Sequence, residues 1–168
     1  PRGAGRAVSI RLADDDAGKA LREGLSHQNI DLLVEPGQMA TEQHTNLMTP
    51  DGGRTSVYTH PPENPKEFAL HGIEAALKNT DIAAISILDY TRPVLSLSQE
   101  HGKPLWIDLH DYDGKNAYHQ EFLEVADVLF LSSDNMPDYR EFMQEQIKAG
   151  KSLVVCTHGK EGATALNL

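Results

Sequence analysis

From Lys66 to the end of the chain, short apolar runs alternate with amphipathic stretches, and few folds accommodate that rhythm. Ile82-Ala83-Ala84-Ile85-Ser86-Ile87, Leu105-Trp106-Ile107, Val128-Leu129-Phe130-Leu131 and Leu153-Val154-Val155-Cys156 lack polar alternation. They therefore read as strands buried on both faces. Helix-like segments separate them, near residues 66–77, 92–100, 117–125 and 137–149. Connections of that length join parallel neighbours by right-handed crossovers, so the pattern predicts an α/β fold built on a parallel sheet.

The first third reads differently. Asp14-Asp15-Asp16 precedes Ala17, Ala20, Leu21 and Leu25, which are spaced for one apolar helix face, and the acids suit the positive end of the helix dipole. Residues 41–48 and 54–59 then alternate loosely and are rich in threonine. Thr49-Pro50-Asp51-Gly52-Gly53 between them is turn chemistry, so an antiparallel hairpin is expected. Such a hairpin serves either as a lid over a ligand or as a solvated edge, and both readings stay open. His60-Pro61-Pro62-Glu63-Asn64-Pro65 reads as a rigid exit linker.

The net charge of -10, with no run of lysine or arginine, makes nucleic acid and anionic membranes poor partners. The single cysteine, Cys156, excludes an internal disulfide; it reads as a buried structural thiol and fits a cytoplasmic location. No stretch approaches the ~20 apolar residues of a membrane span, and no signal peptide is visible. The start at Pro1 suggests trimming or an incomplete N-terminus.

The chemistry concentrates in a few loops. Thr157-His158-Gly159-Lys160-Glu161-Gly162 follows a buried strand, and its glycines permit positive φ and close approach of a ligand to the main chain. Glycines in a β-turn-β connection are more often just a hairpin, and Ala163-Thr164-Ala165-Leu166 reads as its return strand. His158 is a candidate for a phosphate or base contact, or simply an exposed side chain. His110-Asp111-Tyr112-Asp113 carries ligand-type atoms without metal-ligand spacing, and a solvated loop is the competing reading.

Several segments, in order, resemble the PfkB/ribokinase-like carbohydrate kinases. The run from Leu153 to Ala163 is similar to that family's strand, Thr-x-Gly-x-x-Gly turn and strand. Arg11-Leu12-Ala13-Asp14-Asp15-Asp16-Ala17-Gly18 resembles its Asp-x-x-Gly segment, with Asp15 and Gly18 matching. Trp106-Ile107-Asp108-Leu109-His110 and Ala126-Asp127-Val128-Leu129-Phe130-Leu131-Ser132 resemble two further strands of the family. The resemblance implies a parallel, three-layer α/β/α sheet with a small β-hairpin lid. Residues 1–40 would begin the core, 41–60 would form the lid, and 61–168 would continue the core to the nucleotide-side turn.

The activity implied is phosphoryl transfer from ATP, with Mg²⁺, to a sugar hydroxyl. Thr157, Gly159 and Gly162 would border the nucleotide. Asp15, Gly18 and the lid residue Thr45 would face the sugar, with helix capping the other role open to Asp15. A homodimer through the lid is a further expectation. Fructose, ribose, a keto-deoxy sugar acid or a nucleoside are all compatible.

Departures from the family bear on activity. No Gly-Gly…Asn sugar segment appears in residues 1–10, where Arg2-Gly3-Ala4-Gly5 resembles the stretch that follows it. The family's Asn-x-x-Glu falls on Ser132-Ser133-Asp134-Asn135, leaving Asp134 as the nearest carboxylate. The glycine-rich turn that supplies the catalytic Asp is not among the 168 residues. The chain by itself is therefore expected to be inactive, and to expose apolar surface that favours dimers or aggregates. The alternatives are a non-catalytic kinase-like binding domain and an unrelated α/β ligand-binding domain.

Overall fold

A computed structural model describes residues 6–26, 30–37, 40–50, 53–60 and 70–168. The segments Arg2-Gly3-Ala4-Gly5, Asp51-Gly52 and Pro61-Pro62-Glu63-Asn64-Pro65, and the first residues of the helix expected from 66, lie outside them. The chain divides into two compact units, Pro1–Ala76 and Leu77–Leu168.

In the first unit, β1 (Arg6–Leu12) and β2 (Ile30–Pro36) run parallel, joined by α1 (Asp16–Ser26). Neither strand is among those expected from the apolar runs. β1 places Val8, Ile10 and Leu12 at every second residue, the signature of a strand, but Ser9 and Arg11 between them break any run. Arg11 and Glu35 face each other in register and form an ion pair of 3.1 Å. The expected hairpin forms from β3 (Gln43–Met48) and β4 (Arg54–His60), with Thr45 opposite Val57. It is open to solvent along nearly its whole length. α2 (Leu70–Lys78) runs to the start of the second unit.

The second unit holds one sheet in the order β5 (Ala83–Ile85), β6 (Leu105–Asp108), β7 (Val128–Ser132), β8 (Leu153–Thr157), β9 (Ala163–Asn167). The first four strands are parallel, and β9 returns antiparallel to β8. α3 (Arg92–Glu100), α4 (Gln120–Val125) and α5 (Tyr139–Lys148) are the three crossovers. Each strand is added on the same side of the one before it, so right-handed crossovers put all three helices on one face. That face carries the core. Ile85, Leu105, Ile107, Leu129, Leu131, Val154 and Cys156 are buried, with Val94, Leu95, Phe122 and Met143 from the helices.

The opposite face corrects the expectation of strands buried on both sides. Ala84 is exposed, and Trp106, Phe130 and Val155 are only partly covered, because no crossover helix of this unit lies there. β5 is also shorter than the apolar run that announces it, and Ile82 is left exposed. The segment 117–125 is split: Ala117–His119 is a tight 3₁₀ turn, begun by the Asn116 side chain accepting the Tyr118 N–H, and α4 follows it.

Candidate functional site

At the end of β1 the chain leaves the sheet and enters α1 through Asp15. The Asp15 carboxylate caps that helix: Oδ1 accepts the Gly18 N–H at 2.7 Å. It also reaches the residue that leads into the hairpin. Thr41 donates its hydroxyl to Oδ1 at 2.7 Å and its N–H to Oδ2 at 2.8 Å. The same hydroxyl accepts the Ala13 N–H at 3.1 Å, and Thr41 is buried. The network ties the β1 exit, the helix start and the approach to β3 into one knot.

Gly18 is what lets the knot close. A Cβ there would lie 2.2 Å from the Ala13 carbonyl oxygen and 3.0 Å from Thr41 Oγ1. Of the three residues expected to face a sugar, the structure therefore brings Asp15 and Gly18 together. Thr45 stands apart, exposed on β3 and outside that network. The sequence offers no sign of Thr41, whose partner is 26 residues away.

Three hydrogen bonds from two residues hold the Asp15 carboxyl down to about 2 from its ordinary 3.8, the Thr41 hydroxyl most strongly, then the Thr41 and Gly18 N–H groups. A carboxyl whose pKa is depressed on folding stabilises the fold fully above its unfolded value. That contribution is lost as the pH falls from 3.8 through about 2. Asp15→Asn is expected to flatten this acid limb in unfolding curves recorded across that window. An unchanged acid limb in the variant would show that Asp15 is not the group responsible.

The second cluster sits at the carboxyl edge of the sheet, where parallel α/β sheets place their ligands. Backbone bonds knit that edge: Leu109 N–H to Phe130 O, Ser132 N–H to His110 O and Ser133 N–H to Thr157 O. Thr157 ends β8, and its hydroxyl donates to Leu131 O at 3.3 Å. Gly159 and Gly162 follow with φ of 55° and 92°, and nothing lies within 4 Å of where a Cβ would stand on either. The turn is thus a hairpin connection between β8 and β9 and also an open stretch of main chain at the ligand-binding edge. Thr157, Gly159 and Gly162, the three residues expected on the nucleotide side, lie together on it.

His158, within this turn, is not a free surface side chain. Its Nδ1 lies 3.0 Å from Ser133 Oγ and its Nε2 2.9 Å from Thr164 Oγ1, and Tyr139 lies against its ring at 4.6 Å. The ring is committed to the protein, so a direct phosphate or base contact through its nitrogens is not available in this arrangement.

The loop after β6 does not gather its acids. The Asp113 carboxylate accepts the N–H groups of Lys115 and Asn116, which lowers its pKa. Tyr112 is buried against His119 and Phe142. Asp111 receives the Asn135 amide through its main-chain oxygen at 3.0 Å. Among the described residues, no group of three His, Cys, Asp or Glu is placed to share a metal.

No protein-family model matches the chain. Acarbose 7(IV)-phosphotransferase of Actinoplanes sp. is 26% identical over 157 residues, which are 92% of this chain and 52% of that protein. A microbiome-derived acarbose kinase of known structure is 27% identical, with a TM-score of 0.79 over 96% of this chain and 54% of its own. Ribokinase from Giardia lamblia, at 10% identity, has a TM-score of 0.75 over 96% of this chain and 55% of its own. The chain has a ribokinase-like α/β fold. It spans about half the length of the curated relative it matches.

The residue types present at the carboxyl edge are of the kind that a nucleotide with Mg²⁺ would need. The Gly159–Gly162 turn leaves its main chain accessible, as a phosphate contact requires. Asp134, exposed just beyond β7, and Asp111 supply oxygen atoms of the kind Mg²⁺ takes when it is held mainly by phosphates and water. Among the described residues, no helix is long and apolar enough to cross a membrane.

Proposed function

We propose that the protein to which these residues belong transfers the γ-phosphoryl group of ATP to a carbohydrate hydroxyl. The observation that carries this is the pair of acarbose phosphotransferases, each matching more than nine-tenths of this chain at about a quarter identity. Acarbose, or an oligosaccharide like it, is accordingly the first substrate to try. Residues 1–40 and 61–168 belong to the core, and 41–60 act as the lid. Thr157, Gly159 and Gly162 border the nucleotide, with Mg²⁺ near Asp134. Thr45 approaches the sugar from the hairpin. Asp15 and Gly18 serve the sugar side indirectly, by fixing where Thr41 leads the chain into β3.

Catalysis in such an arrangement is mostly positioning and charge stabilisation. Mg²⁺ would offset negative charge on the phosphates, and the turn's main chain would orient them. These 168 residues span about half the length of the acarbose phosphotransferases they match. The buried Cys156 thiol, its pKa raised chiefly by that burial, suits a reducing cytoplasm. The exposed Leu47, Met48, Val57 and Tyr58 of the hairpin support a homodimer formed through it.

One observation favours a second reading, a non-catalytic binding module. Where the family places the metal-organising carboxylate there is Asn135, and its amide is turned to Asp111. Calorimetry with MgATP and acarbose, combined with an ADP-release assay on the full-length protein, separates the two. Binding with turnover is expected; binding without turnover selects the second reading, and no binding rejects both.

A further inference from the structure

We infer that His158 is a positioning residue that clamps the 158–162 turn to the loop after β7, so that nucleotide affinity depends on a side chain that never touches the nucleotide. The inference rests on the proposed reading of this turn as the nucleotide border. Three observations carry it.

First, the ring is held from both ends. Ser133, beyond β7, meets Nδ1, and Thr164, on β9, meets Nε2, at 3.0 and 2.9 Å. A neutral imidazole has one donor and one acceptor, so one hydroxyl accepts from it while the other donates to it. Two hydroxyls, each able to rotate, satisfy either tautomer.

Second, one side chain joins three elements just beyond the point where their main-chain ladders end at Thr157. Thr164 pairs with Cys156 in the β8–β9 ladder, Ser133 belongs to the next strand's exit loop, and Tyr139 opens α5. Within the turn itself the main chain closes with His158 N–H to Gly162 O and Glu161 N–H to His158 O. Beyond that, Ser133 N–H to Thr157 O ties the residue just before the turn to the neighbouring loop. The imidazole adds the cross-strand connection on the side-chain side.

Third, the turn needs holding. Gly159 and Gly162 both have positive φ, and residues 159–162 are exposed. Glycines lose the most conformational freedom on ordering, so a loop built on them binds a ligand well only if something else fixes it beforehand. The Ser133–Asn135 segment on the other side of the clamp is where Mg²⁺ is proposed to be organised. His158 thus sets the spacing between the two halves of the phosphate site.

The test compares His158→Ala with the wild type in the full-length protein, by hydrogen exchange and by MgATP titration. Exchange at 158–162 and 133–136 is expected to rise about tenfold or more, with the cores of β7 and β8 unchanged. MgATP affinity is expected to fall about tenfold while acarbose affinity stays the same. Should His158→Ala not fold, Ser133→Ala combined with Thr164→Val removes both hydroxyl partners, leaves the ring in place, and is expected to show the same pattern. Unchanged exchange in the turn overturns the clamp. Faster exchange with unaltered MgATP affinity keeps the clamp and overturns the nucleotide reading of the turn. A protein that binds no MgATP at all rejects that reading as well, and the exchange result still decides whether His158 holds the turn.

Discussion

Gly18→Ala is expected to destabilise the first unit by about 3 kcal/mol or more, as overpacking against an immovable group does. The added methyl would meet the Ala13 carbonyl oxygen at 2.2 Å, and main chain at the end of β1 cannot swing aside as a flexible side chain would. Relief requires α1 to move away from β1, which breaks the Asp15 cap and both bonds from Thr41. A control in the same helix makes the prediction specific. Gly24 has nothing within 4 Å of its Cβ position, so Gly24→Ala is expected to stabilise by about 0.5–1 kcal/mol through helix propensity and unfolded-state entropy. Denaturant unfolding of the two variants is expected to move in opposite directions. If Gly18→Ala were as stable as the wild type, the knot around Asp15 would not be rigid as described.

Gly162→Ala is the second large expectation, and it works by a different route. Space is not the obstacle, since no atom lies within 4 Å of the new methyl. The backbone is: φ of 92° with ψ of -139° is a region that only glycine occupies comfortably. Forcing alanine there costs about 2–3 kcal/mol, or the turn reopens to avoid the strain. Because the residue sits at the outer end of the β8–β9 connection, reopening need not unfold the sheet. MgATP affinity is therefore expected to fall about tenfold or more with only a modest loss of thermal stability, while Gly159→Asn, which tolerates φ near 55°, is expected to cost much less. Equal effects at the two positions would contradict this account of the turn.

What was legible in the sequence follows from how each feature is encoded. β6, β7 and β8 are continuous apolar runs because one face is core and the other carries the half-covered Trp106, Phe130 and Val155, and such runs stand out against their amphipathic neighbours. β1 and β2 escaped notice because their apolar residues are interleaved with Ser9, Arg11, Asp31 and Glu35, two of which neutralise each other across the pair. The run 82–87 overstated β5, since apolar residues at a partly exposed edge carry the same letters as buried ones. Thr157, Gly159 and Gly162 were readable because a glycine turn is local. Thr41 and the role of His158 were not, because their partners lie 26 and 25 residues away and only folding brings them together. Asp15 was visible, yet whether its carboxylate faced a sugar or capped a helix depended on that same distant Thr41.

The central claim is that these residues form the ribokinase-like part of a carbohydrate kinase. The most direct test is to incubate the full-length protein with MgATP and acarbose, then with a panel of other sugars, and look for a phosphorylated sugar by mass spectrometry. The expected result is a phosphorylated carbohydrate, formed only when ATP, Mg²⁺ and the full-length protein are all present. No phosphorylated sugar from any member of the panel, although the protein is folded and ATP and Mg²⁺ are supplied, would contradict it.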